Sequence, residues 1–437
     1  MTERKPEVSV CWLRRDLRLE DNAALYHALH SNYPVLVIFI FDVNILDQLP
    51  SKKDKRVAFI HKSLEQINIV LQKNHSSLYI IKGTPLNSFK KLIEEFSVKK
   101  VFTNHDYEPY ASERDLQIQK FLTQEDISFH TFKDQVIFEK LEIAKAKGEP
   151  YTIFTPYSKI WKQQYNESGI LSFKSEKHLD HLFKTQSFNF SSLAEIGFDK
   201  ANIKIDAPDL SEDTIRHYHE TRNNPSVEGT TRVGVHLRFG TVSIRNLVKL
   251  ADSLNEKWLN ELIWREFFMM ILFNFPNVVH QNFKKKYDAI KWRNNEDEFR
   301  LWCEGKTGYP MVDAGMRQLN ETGWMHNRVR MVVASFLCKH LLIDWRWGEA
   351  YFAEKLLDYE LSSNNGNWQW AAGTGCDAAP YFRIFNPHEQ LRKFDPKLVY
   401  IKKWIPDFRP GYLPEMVKHE YARKRALVVY KDALQES

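Results

Sequence analysis

Val35-Leu36-Val37-Ile38-Phe39-Ile40-Phe41 is an unbroken apolar run near the start of a 437-residue chain. A run this short and this uniformly apolar reads as a strand buried on both faces, the environment of a parallel sheet covered by helices. Working outward, Val8-Ser9-Val10-Cys11-Trp12-Leu13, Leu78 to Ile81 and Val101-Phe102 read as further strands. Between them Val57, Ile60, Leu64, Ile67 and Leu71 recur at helical spacing, and Ser112 to Leu122 reads as another helix. This βαβα order predicts a Rossmann-like α/β domain with a doubly wound parallel sheet over residues 1–130. Such sheets bind ligands at the carboxyl ends of their strands.

From 131 to 205 the pattern dissolves into a segment rich in Lys, Ser, Phe and Gly, read as an interdomain linker. Over 206–437 strand signals disappear. Ile244 to Leu254, Trp258 to Phe273, Met311 to Leu319, Trp324 to Leu342 and Trp347 to Leu357 carry helical periodicity, so the second domain is predicted to be all-α. Hydrophobic content of 43% and charged content of 27% are those of a soluble globular protein. The net charge of +6 is mildly basic. Four scattered cysteines give neither a metal motif nor a disulfide framework and suit a reducing compartment. With no signal-peptide pattern and no membrane-length apolar run, the expectation is a cytoplasmic protein.

Two helix faces carry the same mixed chemistry. Glu261, Trp264, Arg265 and Phe268 fall at i, i+3, i+4 and i+7, and Trp324, Asn327, Arg328 and Met331 repeat that spacing. One such face is usually a solvated helix surface. Two of them, in a chain with 12 Trp and 14% aromatics, make a shared ring-binding pocket the better reading. Trp offers a stacking face worth about 1–3 kcal/mol per base. Asn both donates and accepts at a base edge, and Arg clamps phosphate with a fork of donors. A Glu set among aromatics is expected to hold its proton more tightly than usual.

Three motif matches fail. Gly373-Thr374-Gly375-Cys376-Asp377-Ala378 fits a loose dinucleotide fingerprint but follows no strand. Gly305-Lys306-Thr307 resembles the end of a phosphate-binding loop, but its first Gly position is Arg300. His326 and His340 have no second ligand at metal spacing, so no metal site is assigned.

Trp12-Leu13-Arg14-Arg15-Asp16-Leu17-Arg18 with Asp21-Asn22, Glu304-Gly305-Lys306-Thr307-Gly308-Tyr309-Pro310, Trp324-Met325-His326-Asn327-Arg328 and Tyr381-Phe382-Arg383-Ile384-Phe385-Asn386-Pro387 resemble the photolyase/cryptochrome family over nearly the whole chain. The Trp-Met-His-Asn-Arg string is similar to that of class I cyclobutane pyrimidine dimer photolyases, whereas (6-4) photolyases and animal cryptochromes carry a second His where this chain has Asn327. The resemblance implies an α/β antenna domain and an all-α C-terminal domain that binds FAD. It assigns Tyr218, Thr230, Thr231 and Arg232 to the FAD phosphate and ribose, Arg330 and Asp358 to an ion pair beside the flavin, and Asn364 to flavin N5. Asn at that position is photolyase-like. Glu360 stands where the family has Asp, and Gly234 where it often has Ser. Glu261, Trp264, Arg265, Asn327, Arg328, Met331 and Trp370 match the pocket and flank that receive a flipped dimer. Trp368, Trp345 and Trp292 match an electron-carrying chain, and Trp302 and Trp347 read as bystanders.

The implied activity is light-driven splitting of pyrimidine dimers in UV-damaged DNA by an electron from excited reduced FAD, with Glu261 stabilising the charge that develops on the dimer. Lys284, Lys285, Lys286, Arg328, Arg392, Lys393, Lys397, Lys402 and Lys403 are candidates for a DNA-binding face. The antenna chromophore stays open between a folate, a deazaflavin, a flavin and none. Asn104 to Glu108 resembles a folate-binding region with Glu108 at the pterin, or is an ordinary strand-end loop. A monomer without an obligate protein partner is expected. The rival readings are a cryptochrome-like blue-light photoreceptor of the same fold and a flavin-free helical DNA-binding protein.

Overall fold

The apolar runs of the first third become strands in the computed structural model, which describes residues 4–202, 205–409 and 411–435. Strands β1 (Glu7–Leu13), β2 (Val35–Asp42), β3 (Tyr79–Gly83), β4 (Ser97–Asn104) and β5 (Ser128–Phe132) form one sheet in the order β3-β2-β1-β4-β5. Every pairing is parallel. All eight residues of β2 are buried, as its uniform apolar composition demands. β5 is the strand that apolar patterning misses. Ser-Phe-His-Thr-Phe lies at the sheet edge, buries none of its residues fully and has no apolar run to mark it.

The chain forms two units, each drawn from three stretches. The first comprises Met1–Glu139, Gln163–Ala207 and Val233–Leu250. It holds the sheet and a buried ion network that explains the charged opening motif. Arg18 meets Asp134 at 2.7 Å, and Arg245 meets Asp21 at 2.8 Å and Asp134 at 2.7 Å. Asn104 at the end of β4 donates to Asp16 at 2.6 Å. Each of the two buried arginines thus has an opposite charge, and Asp16 has amide donors in place of one, as burial requires.

The second unit comprises Lys140–Lys162, Pro208–Arg232 and Ala251–Ser437, and the elements described in it are helical. The 131–205 segment is not featureless. It contains the helix Phe154–Ser168, whose Tyr157 and Trp161 donate to the buried Glu266 at 3.3 and 2.5 Å. The run from Trp324 to Leu342 is not one helix either. Gly323 ends the helix Pro310–Thr322 in the left-handed conformation, and His326 caps a new helix, Asn327–Ser335. Phe336–Leu341 then widens into a π-helix. No helix among the described residues is long and apolar enough to cross a membrane.

The helix Leu361–Ala372 lies at the centre of this unit, packed by Trp345–Lys355, Glu256–Asn274 and Asn327–Ser335. Two glycines set the approach. A Cβ at Gly348 would overlap the Trp368 ring, and one at Gly366 would overlap Phe268. Gly348→Ala is therefore expected to destabilise the protein by about 1–3 kcal/mol through overpacking. Urea unfolding followed by tryptophan fluorescence checks this, and an unchanged midpoint would refute the close approach.

Candidate flavin and substrate site

A cavity of about 620 Å³ opens against the 361–372 helix. Asn327, Arg330 and Met331 reach it from the 327–335 helix, and Asp358 and Glu360 from the turn that follows Lys355. Asn364, Trp368 and Trp370 line it from the 361–372 helix. Two ion pairs stiffen the wall. Arg330 meets Asp358 at 2.8 Å and donates through Nε to the Met325 carbonyl at 2.7 Å. Arg265 meets the buried Glu360 at 2.8 Å.

A second group of residues gathers beside the 256–274 helix. Arg222 meets Glu261 at 2.5 Å, and its guanidinium lies 5.3 Å from the Tyr218 ring centre. Burial pushes the Glu261 carboxyl up, and Arg222 opposes that shift. Burial likewise raises the Tyr218 phenol, with Glu261 adding to the effect. Trp264 is half-buried. One of its faces is covered by Phe154, stacked at 3.7 Å with the planes 6° apart. Phe154 has no signature of its own in the sequence and falls in the stretch that reads as linker.

Arg328 donates to Asn223 at 2.6 Å and lies over the Phe394 ring, while Asn327 is exposed at the start of its helix. Trp324 does not share a helical face with Asn327, Arg328 and Met331. It precedes the His326 cap, and the Arg232 guanidinium sits 4.7 Å from its ring centre. Arg232 also pairs with Glu228. Thr231 is buried with its carbonyl bonded to the Asp209 amide at 3.0 Å, and Thr230 is half-buried. Tyr218, Thr230, Thr231 and Arg232 do not line the cavity itself.

Of the three tryptophans assigned to electron transfer, Trp368 and Trp345 are buried and Trp292 is half-buried. Trp345 donates to Asn282 at 2.8 Å, and Trp292 stands edge-on to Tyr430 at 6.1 Å. Trp302 is buried edge-on to Trp368 at 6.2 Å and bonds the Val333 carbonyl. In the sheet unit, Glu108 accepts from Arg15 at 3.0 Å and from Arg238 at 2.6 Å, so its carboxylate would have to exchange partners to hold a pterin. A separate cavity of about 870 Å³ lies beyond the ends of β2 and β3, lined in part by Asn44, Thr84, Tyr110 and Arg114.

Residues 258–429 match the family model described as the FAD binding domain of DNA photolyase, and residues 9–176 match the DNA photolyase model. A deoxyribodipyrimidine photo-lyase of Vibrio cholerae is 34% identical over 97% of this chain and 99% of its own length. That of Escherichia coli K12 is 34% identical over 97% and 98%. The chain belongs to the DNA photolyase family. Among solved structures, a class III photolyase from Agrobacterium tumefaciens is similar with a TM-score of 0.84 and 29% identity over 99% of both chains. An archaeal photolyase from Sulfolobus tokodaii holding two FAD molecules matches with 0.79 and 32% over 98% of this chain and all of that one. A Synechocystis cryptochrome at 24% identity over 98% of this chain and all of its own, with a TM-score of 0.83, shares the fold.

The residues of this photolyase-family chain fit FAD. Beside the ion pairs and the cavity, His326 Nε2 is buried at the start of the 327–335 helix without a protein partner, leaving a donor for a polar ligand. His326 Nδ1 accepts from the Arg328 amide at 3.2 Å. Burial, then Arg330, Arg328 and Arg232, lower its ring to about 4. A histidine held below its ordinary 6.5 stabilises the native state above that pH, and the contribution is lost as pH falls through about 4. His326→Asn keeps a capping oxygen and removes the titration. The stability of the wild type relative to this variant should therefore fall by at most about 3 kcal/mol between pH 7 and 4. Paired thermal melts across that range check it, and a constant difference would contradict it.

Proposed function

We propose that this protein is a deoxyribodipyrimidine photo-lyase that restores cyclobutane pyrimidine dimers in UV-damaged DNA, acting as a cytoplasmic monomer. The observation that carries the reading is the cavity walled by Arg330–Asp358, Arg265–Glu360 and Asn364 inside the segment that matches the FAD domain. When bound, reduced and photoexcited FAD supplies the electron that opens the cyclobutane ring.

The chain's own residues bind, orient and stabilise. Arg330 and Asp358 hold the flavin side of the cavity, with Tyr218, Thr230, Thr231 and Arg232 assigned to the rest of the cofactor. Trp264 and Trp370, both half-buried, offer faces on which a flipped base stacks. Asn327 offers a donor and an acceptor to a base edge. The Glu261 carboxyl, pushed up by burial, supplies a hydrogen bond to a base carbonyl where negative charge develops. A dimer pairs and stacks poorly, so its extrusion costs less than that of a normal base. Lys285, Lys286, Lys393, Lys397 and Lys402 are exposed and available to phosphates, whereas Arg392 already pairs with Glu389 and Lys403 has Glu228 at 3.4 Å. The antenna domain holds a folate, a deazaflavin, a flavin or no second chromophore.

The test is blue-light repair of an oligonucleotide carrying one thymine dimer, with reduced FAD-loaded protein and a dark control. Light-dependent recovery of intact thymines is expected, with affinity falling steeply as salt rises. No repair by protein that binds and photoreduces FAD would replace this reading with a photosensor of the same fold. Trp345→Phe is expected to slow photoreduction of oxidised FAD at least tenfold and to spare repair by chemically reduced enzyme. Transient absorption and the repair assay separate the two, and loss of both would remove Trp345 from the electron path.

A further inference from the structure

The helix Phe154–Ser168 places Phe154, Tyr157 and Trp161 at i, i+3 and i+7, so the three rings share one face. That face lies against the helix Glu256–Asn274 and is anchored twice. Tyr157 and Trp161 both donate to the buried Glu266. At the start of the helix the Phe154 amide donates to Asp377 Oδ2 at 3.0 Å. Held in this way, the Phe154 ring lies flat on Trp264, with centres 3.7 Å apart and planes 6° apart. Two rings left to themselves prefer an offset or edge-on arrangement with centres roughly 4.5–7 Å apart, because their faces carry like charge. The flat stack is therefore imposed by the anchors and not chosen by the rings. Phe267 stands edge-on to the same indole at 5.6 Å, and Phe268 lies tilted by 31° at 5.5 Å. Phe154 is buried while Trp264 is half-buried, so the indole is covered from behind and still keeps an exposed part.

We infer that Phe154 is a positioning residue that fixes the Trp264 indole as a rigid platform and so, resting on the photo-lyase reading above, sets the preference of the protein for a dimer over undamaged DNA. A side chain that must be ordered on binding weakens the complex, and a ring ordered beforehand does not. Phe154 also shuts the rear face of the indole to water and to a second base. Undamaged DNA is held through its phosphates and keeps its bases in the duplex, so the state of the platform bears on the extruded dimer alone. Phe154 touches no substrate and acts only through Trp264. Its anchor Asp377 lies beyond the end of the helix Leu361–Ala372, which carries Trp370. The segment that places one stacking ring therefore also steadies the support of the other.

The test uses the FAD-loaded full chain as wild type, Phe154→Leu and Phe154→Tyr. Affinity is measured for an oligonucleotide carrying one thymine dimer and for the same sequence undamaged. Leu removes the flat ring and is expected to weaken dimer binding roughly tenfold, with undamaged DNA bound as before. Tyr keeps the ring and is expected to restore the wild-type preference. If the Leu variant does not fold, Asp377→Ala replaces it. Loss of the amide anchor should move dimer affinity the same way. Fluorine NMR of protein labelled with 5-fluorotryptophan reads the platform itself, the Trp264 signal being identified by its loss in Trp264→Phe. One sharp signal is expected in wild type and the Tyr variant, and a displaced, broadened or doubled one in the Leu or Ala variant. Equal dimer affinity in wild type and the Leu or Ala variant would overturn the assignment even if the signal moved, since the stack would then be packing alone. An equal loss for both oligonucleotides would overturn it too. No preference for the dimer in wild type would bring down the photo-lyase reading instead, and the fluorine signal would still decide whether Phe154 holds Trp264.

Discussion

Paired charge is the constraint on which the helical unit depends. A cavity that accepts a polar aromatic ligand needs charged walls, and a charge taken out of water without a partner is expensive. Three cations here come with an anion from a separate segment: Arg330 with Asp358, Arg265 with Glu360, Arg222 with Glu261. None of these pairs lies within a single helical turn. Each closes only when two segments have docked, so the ion pairs act as registration marks for the packing. Their net contribution to stability is small compared with the cost of breaking one, since removal of one partner strands the other in the wall.

The 361–372 helix shows how packing and chemistry share one element. Its small residues admit neighbours, with Gly366 facing Phe268 and Trp368 pressed against Gly348. Its polar residues then have partners within reach, Asn364 at Glu349 and Gln369 at the Val278 carbonyl. The adjoining π-helix extends the arrangement. Lys339, buried within it, donates to the Tyr381 carbonyl at 3.0 Å and lies 4.0 Å from the Tyr430 ring centre, and burial lowers its ammonium to about 7. A widened turn is a common mark of a site whose side chains must point where an ordinary helix would not send them.

Elements with strong periodicity were legible in the sequence. β2 announced itself by uniform apolarity, and the Ile244–Leu254 helix is found with the limits its pattern predicts. Errors arose where one residue's backbone conformation overrides a pattern. Apolar spacing runs through Trp324, but a left-handed Gly323 and the His326 cap break the chain there, so Trp324 leaves the face it was assigned to. Partners across the fold were less legible still. Periodicity shows which residues share a face and says nothing of what lies opposite. Phe154 over Trp264, Glu349 behind Asn364 and Glu266 beneath Trp161 are ordinary residues until the chain folds. Glu266, directly ahead of Phe267-Phe268-Met269-Met270, is buried with them, and nothing in the periodicity marks it out from Glu261 or Arg265 on the same helix.

Under the proposed function, the Arg222–Glu261 pair sets a condition on substrate entry. Burial pushes the carboxyl towards its protonated form while Arg222 pulls it the other way. A base seated on Trp264 would remove further water from Glu261 and strengthen the first effect, favouring a carboxylic acid that can donate to a carbonyl oxygen. Arg222 would then lose its counter-charge at the moment a phosphate-bearing strand arrives, and a guanidinium is well suited to take a phosphate in place of a carboxylate. Exchange of partners at one ion pair would couple phosphate binding to the preparation of the carboxyl that steadies the dimer, with no movement of the surrounding helices.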